Sequence, residues 1–384
     1  VDEGVGDFDM LYQEPGNRAA GLRPAAEKAI AAYKDKGLTK KATDFSTYID
    51  FRDLLAREDI DAVTVCTPDH WHGLISIAAA KAGKDIYCEK PLVNSVAEGR
   101  EVCRAVQRNE RILQTGSHER SNDSVRYVYE LVKNGRIGNL AEIHVNMPNS
   151  DNHHEQLRQD KGLHPVMPVP HGFHYDMWLG PAAWAEYTRM RTHFWWRFIL
   201  ETGGGEMTDR GAHIIDLAQF INDADDSGPV ELRAKGAQVT SRLFDCFIEY
   251  EFECRYQNGV KLVGTSEGDR GLRLIGDDGW IFIHIHGGRL EASNPEILKS
   301  KIAPHEIHTE YSPGHHRNFL DAVKSRKKAI AHEEIGHRTA TICHLLNIAM
   351  LLDKPISWDP VREISTDDEI NKMLKKPTRS PWRL

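Results

Sequence analysis

The sequence predicts two domains: a parallel α/β domain over residues 1–139, and an α+β domain over 140–384 with a large, mostly antiparallel sheet. Three observations carry this. The chain has 384 residues, enough for two hydrophobic cores. Strand-like and helix-like runs alternate as far as Gly135, which is the pattern of βαβ units. From Val230 to His286 strand-like runs succeed one another without a helix between them.

The elements follow in order. Arg18 to Lys36 is rich in Ala and Lys and reads as a helix stopped by Gly37. Asp53-Leu54-Leu55 falls in a second short helix, and Asp61 to Thr67 is an apolar, β-branched run that reads as a buried strand. A helix over Gly73 to Ala82 ends at Gly83, and Asp85 to Glu89 is the next strand. Ser95 caps a helix reaching Arg108, with Glu98 as its capping-box partner. Arg111 to Thr115 is a third strand, and Ser121 opens a helix ending near Asn134-Gly135. Ligands of such sheets sit at the carboxyl ends of the strands, so chemistry is expected just after Thr67, Glu89 and Thr115.

Beyond Leu140 the character changes. Ala141 to Met147 alternates as a strand does, and residues 149–198 form an irregular stretch dense in His, Pro and Trp. Strands are expected over Val230–Thr240, Phe247–Tyr256, Val260–Ser266, Leu272–Ile275 and Trp280–His286, then helices over His315–Ser325 and Glu334–Leu352.

Composition excludes some classes of function. A net charge of −8 argues against nucleic acid as the main partner. No apolar run approaches the ~20 residues of a membrane span. The six cysteines are scattered with no CxxC pair, and read as free buried thiols. Among the histidines, His70 and His72 are two apart, as are His284 and His286, a spacing that shares one face of a strand. No fixed spacing supplies further ligands, so no metal is expected. His153-His154 and His315-His316 read as exposed loop and helix-start residues.

Three motifs carry chemistry. Thr67-Pro68-Asp69-His70-Trp71-His72 follows a strand, and Pro68 forces the chain out of the sheet. Glu89-Lys90-Pro91 follows the next strand and sets a lysine at its carboxyl end. In the third, Gly203-Gly204-Gly205 precedes Asp209 and His213, which on one helix would share a face. The glycines would let the backbone approach a ligand closely. Some of the aromatics from Trp178 to Trp196 are expected in the core and some against a sugar face.

These residues resemble the glucose–fructose oxidoreductase, inositol dehydrogenase and MocA family of NAD(P)-dependent enzymes. Glu89-Lys90-Pro91 matches its EKP signature, and Asp209-x-x-x-His213 its paired acid and histidine. The tail is similar to one bacterial subgroup through His316-Arg317-Asn318-Phe319, Gly336-His337-Arg338, Trp358-Asp359-Pro360 and Arg379-Ser380-Pro381-Trp382. The resemblance implies a Rossmann-like first domain and hydride transfer, with NAD or NADP, at a hydroxyl-bearing ring carbon of a sugar or cyclitol. It implies His213 as general base, Asp209 as the group that orients it or binds a second hydroxyl, and Lys90 on the substrate oxygen. Thr67, Pro68, His70, His72, Glu89, Lys90, Pro91 and Gln114 are implied on the cofactor side. His118, Arg120, Tyr175, Trp178 and Asp216 are implied on the substrate side, and a homodimer or homotetramer through the antiparallel sheet. A glycosidase acting by transient oxidation at carbon 3 and elimination is a second reading. A non-catalytic sugar-binding or assembly subunit is a third.

The chain departs from the family at its start. No G-x-G-x-x-G loop is present, and Gly4-Val5-Gly6 follows no strand. Val1-Asp2 reads as the tail of the second strand, which sets Asp2 near the acidic position for the adenosine ribose. The first βα unit, roughly 30 or more residues, is expected to be missing. A fragment of a longer protein and a natural variant that binds nucleotide weakly both fit. The compartment stays open between cytoplasm and, with an export signal upstream, periplasm.

Overall fold

A computed structural model describes residues 21–38, 45–239, 241–286 and 288–383; Asp2 and Gly4-Val5-Gly6 lie outside them. The first half contains α1 (Leu22–Asp35), α2 (Phe51–Leu55), β1 (Ala62–Val65), α3 (Asp69–Lys81), β2 (Asp85–Cys88), α4 (Val96–Arg108), β3 (Leu113–Thr115) and α5 (Asp123–Lys133). The three strands form a parallel sheet in the order β1-β2-β3. Val65 pairs with Cys88, and Cys88 with Thr115, so the strands end level. The segments after them therefore meet along one edge, where the sequence places its chemistry.

Two local expectations change. Helix α3 begins at Asp69, four residues ahead of Gly73, with Pro68 at its N-cap. Proline has no N–H to leave unsatisfied at a helix start. Every residue from Asp69 to Ile77 is buried, so packing rather than propensity sets the boundary. At α4 only half of the capping box forms. Ser95 Oγ accepts from the Glu98 N–H at 3.4 Å, but the Glu98 carboxylate accepts from the Asn94 N–H at 2.8 Å. Glu98 lies across Gly73, where a Cβ would come within 2.3 Å of its Cγ. This contact aims the carboxylate at the loop that follows β2. Helix α5 starts after Asn122, whose side chain accepts from the Ser124 N–H at 2.9 Å.

The second half contains β4 (Leu140–Asn146), α6 (Asn152–Gln159), α7 (Tyr175–Leu179), α8 (Gly205–Asp209), α9 (Gly211–Ile221), β5 (Glu231–Gln238), β6 (Phe247–Arg255), β7 (Lys261–Thr265), β8 (Gly271–Gly276), β9 (Gly279–His284), β10 (Leu290–Ala292), α10 (His315–Ser325), α11 (Glu333–Leu352), β11 (Ile356–Asp359), β12 (Ile364–Ser365) and α12 (Asp368–Met373). Its sheet has nine strands in the order β10-β9-β8-β4-β7-β6-β5-β11-β12. Only β4 and β7 pair in parallel; all other neighbours are antiparallel. In β6, Tyr250, Phe252 and Cys254 face the core while Glu249, Glu251 and Glu253 face outward, the alternation expected of a sheet buried on one side.

Helix α11 is apolar nearly all round and buried accordingly, packed on α9, β5, α4 and β3. It joins the two sheets. Arg100 of α4 pairs with Glu334 at 2.7 Å and with Glu363 at 2.6 Å, fastening the same junction. The tail adds a strap: Trp382 packs edge-on against Trp71 at 4.8 Å, and Arg379 pairs with Asp176 at 2.7 Å. His153, His154 and His315 are buried, against expectation; His315 lies 2.8 Å from Thr115 O and 2.9 Å from Ser121 Oγ. His316 is exposed and stacks on Tyr87 at 4.8 Å. Five of the free cysteines are buried and Cys66 is exposed. Among the described residues no helix is long and apolar enough to cross a membrane.

Burial pushes the Glu98 carboxyl up to about 7, although the Asn94 N–H and the Lys376 charge oppose it. A folded pKa above the unfolded one gives stability that is full below about pH 4.5 and is lost as pH rises through about 7. Glu98→Gln keeps an acceptor for Asn94 and removes the charge. Denaturant unfolding should show the variant gaining roughly 2–3 kcal/mol on the wild type between pH 4.5 and 8. A constant difference between the two curves would contradict a buried, strained carboxylate.

Candidate active site

At the level ends of β1 and β2 the chain is tied by His72. Its Nδ1 lies 2.7 Å from Pro91 O and its Nε2 2.7 Å from Thr67 O. Burial depresses the ring's basicity, and the two carbonyls work against that. Thr67 and Pro68 remain half-buried at this edge, and Thr67 Oγ1 is a buried hydroxyl with no partner. Glu89 sits under Gly116, where a Cβ would meet its Oε2 at 2.5 Å. Glu89, Lys90 and Pro91 follow directly, with the Lys90–Pro91 peptide cis.

Lys90 reaches across to the second domain. Its Nζ donates to Asp209 O at 2.6 Å and to Asp209 Oδ1 at 2.7 Å. The local fold of Asp209 makes this possible. Asp209 and His213 do not share one continuous helix: α8 ends at Asp209 and α9 begins at Gly211. The His213 N–H donates to Arg210 O at 3.0 Å, and the Asp209 carbonyl is left for the ammonium. Arg197 Nε approaches the same carboxylate at 3.5 Å. Burial alone would raise the Asp209 carboxyl, but the Lys90 and Arg197 charges hold it well below the usual range. Asp69, in the first turn of α3, is pushed up to about 8 by burial against the pull of Lys90 and Arg197.

His213 lies in the first turn of α9 and is nearly buried, and its Nδ1 has no partner. Burial first, then the Lys90 and His118 charges, hold its imidazole well below its ordinary pKa. His118 stands beside it at a ring-centroid distance of 4.8 Å, and His286 at 5.4 Å.

Other expected residues have different partners. Arg120 and Asp216 do not line a rim: they pair with each other at 2.7 Å, both almost fully buried, and Arg120 also pairs with Asp225 at 2.7 Å. His70 is buried, with ring nitrogens 2.9 Å from Trp178 O and 3.3 Å from Thr202 O, and Gln114 is buried and donates to His315 O at 2.7 Å. Tyr175 and Trp178 stack at 6.0 Å within an aromatic cluster containing Phe173, Tyr187 and Trp196. The three glycines pack against protein: a Cβ on Gly203 would meet Arg197 O at 2.7 Å, and one on Gly205 would meet Cys246 Cβ at 2.7 Å. Gly205 also holds φ +64, which favours glycine. The sequence did not single out Arg197, Asp69 or Glu119, and offered His286 only as a pair with His284. The run Phe194-Trp195-Trp196-Arg197 was a signal for the first, since its guanidinium lies over the Trp196 ring at 4.4 Å.

A parallel sheet with a lysine at a strand end, facing an acid and a histidine from a sheet-bearing second domain, is the arrangement of a two-domain protein with a Rossmann-like first half. The NAD-binding Rossmann-fold model of the Gfo/Idh/MocA oxidoreductase family matches residues 10–117, and its C-terminal alpha/beta domain model matches residues 121–384. The chain belongs to this family. A levoglucosan dehydrogenase of Pseudarthrobacter phenanthrenivorans is 26% identical over 173 residues, 45% of this chain and 35% of that protein. An inositol 2-dehydrogenase of Salmonella typhimurium is 28% identical over 130 residues, 33% of this chain and 39% of that one. The chain thus spans less than half the length of these curated relatives. The structure of an aldose–aldose oxidoreductase from Caulobacter crescentus, complexed with glycerol, superposes with a TM-score of 0.61 at 18% identity, covering 86% of this chain and 88% of that one. At that identity the likeness is one of fold.

Asp216→Ala leaves the buried Arg120 guanidinium with Asp225 alone. A loss of about 3–5 kcal/mol in unfolding free energy is expected. Asp225→Ala, whose carboxylate is the more exposed, should cost less. Equal, negligible losses in denaturant titrations would return Asp216 to the substrate side.

Proposed function

We propose that this protein is an NAD(P)-dependent oxidoreductase that transfers a hydride to or from a hydroxyl-bearing ring carbon of a sugar, sugar derivative or cyclitol. The observation that carries the reading is the Lys90–Asp209 clamp beside His213. An ammonium has three N–H groups. Two are committed to Asp209 O and Oδ1, which leaves one for a substrate oxygen. That donor stabilises negative charge as it develops on the oxygen. His213, with its unpartnered Nδ1, takes or returns the hydroxyl proton. Asp209 holds Lys90 in place through two acceptors and so fixes the distance between the two domains' reacting groups.

The residues at the strand ends fit a nicotinamide. Thr67 Oγ1 is a buried hydroxyl in need of a partner, and Thr67, Pro68, Glu89 and Pro91 form the edge where a parallel sheet presents its ligand. The bound nicotinamide would supply the hydride acceptor. The relatives named for levoglucosan and inositol support a polyhydroxylated ring as the substrate class.

Initial rates of nicotinamide reduction on a panel of free sugars, sugar acids and cyclitols test the reading. Lys90→Met and His213→Ala should each lower kcat/KM by about 10²–10⁴-fold on any substrate turned over. Nucleotide affinity should survive in His213→Ala. Full turnover in both variants would end the assignment.

A further inference from the structure

Three ligand-type side chains that hydride transfer does not use converge beside His213. His118 and Glu119 belong to a short 3₁₀ turn after β3 (His118–Ser121), and His286 to the loop after β9. One donor atom from each lies within 4.8 Å of the other two. Glu119 Oε1 is 3.4 Å from His118 Nε2 and 3.1 Å from His286 Nδ1. The two imidazoles stack at 5.8 Å and 22°. The carboxylate is buried at the base, while both rings are about half exposed, so the group opens to one side only.

The surroundings have the form of a supporting shell. Asn122 Nδ2 donates to the second Glu119 oxygen at 3.4 Å. A ligating carboxylate is ordinarily held in this way by a further hydrogen bond. His286 presents its ring from φ +65, a conformation that residues other than glycine seldom adopt. The His213 ring closes one flank, with a buried Nδ1 that no protein atom satisfies.

We propose that His118, Glu119 and His286 bind one divalent transition-metal ion of the zinc type. Two imidazole nitrogens and one carboxylate oxygen suit zinc, and three protein ligands leave a coordination position for an outside oxygen. The His213 ring stands beside the group, 4.8 Å from His118 and 5.4 Å from His286. Use of the open coordination position by the substrate rests on the oxidoreductase reading above; occupancy of the site by metal does not. His284, the partner that sequence spacing offered, turns instead to Glu291 at 2.8 Å.

A second trio of ligand-type residues, Asp151, His153 and His154, makes an informative contrast. There Arg210 and Arg270 both pair with Asp151, and Arg210 also pairs with Glu206, the carboxylate that meets both imidazoles. Two guanidiniums already neutralise that group and would repel a dication. Among the described residues Glu119 has only the two imidazoles as ion-pair partners.

The test is calorimetric titration of the chelator-stripped full chain with zinc sulfate, with Co²⁺ substitution followed by its visible d–d bands. One zinc per chain is expected. His118→Ala/His286→Ala should weaken binding at least ~100-fold, whereas His153→Ala should leave it unchanged. Because the double variant strips the buried Glu119 carboxylate of both imidazole partners, its fold is checked by circular dichroism in the same samples, and His286→Ala alone, which keeps the His118 pair, should also weaken zinc binding. Lys90→Met should lose turnover yet bind zinc at the same stoichiometry, which separates this proposal from the oxidoreductase reading. Wild-type protein with no saturable zinc binding, or a double variant that binds as tightly as wild type, overturns the site.

Discussion

The rest of the site depends on one ammonium group held by one aspartate. Lys90 projects from the end of β2, and Asp209 closes α8 in the other domain. Two acceptors of the same residue receive it, one backbone and one side chain. The backbone acceptor exists because the helix is broken between Asp209 and Gly211; a continuous helix would direct that carbonyl at the His213 N–H. The break therefore both supplies the acceptor for Lys90 and resets the direction of His213. The pair is partly withdrawn from water, and the additional hydrogen bond helps to offset that desolvation.

Around that clamp, three arginines are each neutralised in place. Arg120 is enclosed by Asp216 and Asp225, Arg210 by Asp151 and Glu206, and Arg100 by Glu334 and Glu363. Each network joins residues from separate elements, and two of them lie beside the clamp. Arg210 spans the break between α8 and α9. Arg120 holds α9 through Asp216, one turn beyond His213. Rigid support of this kind is what holds reacting groups at working distance. The group of His118, Glu119 and His286 stands apart from it: among the described residues the ion-pair partners of that carboxylate are two histidines and no arginine or lysine.

Much of this was legible in the chain. Alternating runs announced the parallel sheet, and period-two patterns announced β5 to β9. The lysine at the end of β2 was visible because strand ends are where such sheets bind. Short elements were not legible: β11 and β12 have four and two residues, and their place at the sheet edge comes from pairing of β11 with β5 and of β12 with β11 rather than from propensity. Nor was the start of α3, since the burial of Asp69, His70, Trp71 and His72 depends on elements that arrive later in the chain.

Local chemistry determined by itself the two-domain order and the strand ends that carry Thr67 and Lys90. It did so because hydrophobic period and turn residues act over a few positions. The tertiary structure alone decided which polar groups face one another. It buried Arg120 against Asp216, turned Glu98 to Asn94 and brought His286 to Glu119, although 167 positions separate that last pair. Burial is a property of the assembled fold, and a buried charge takes whichever partner the fold brings within reach.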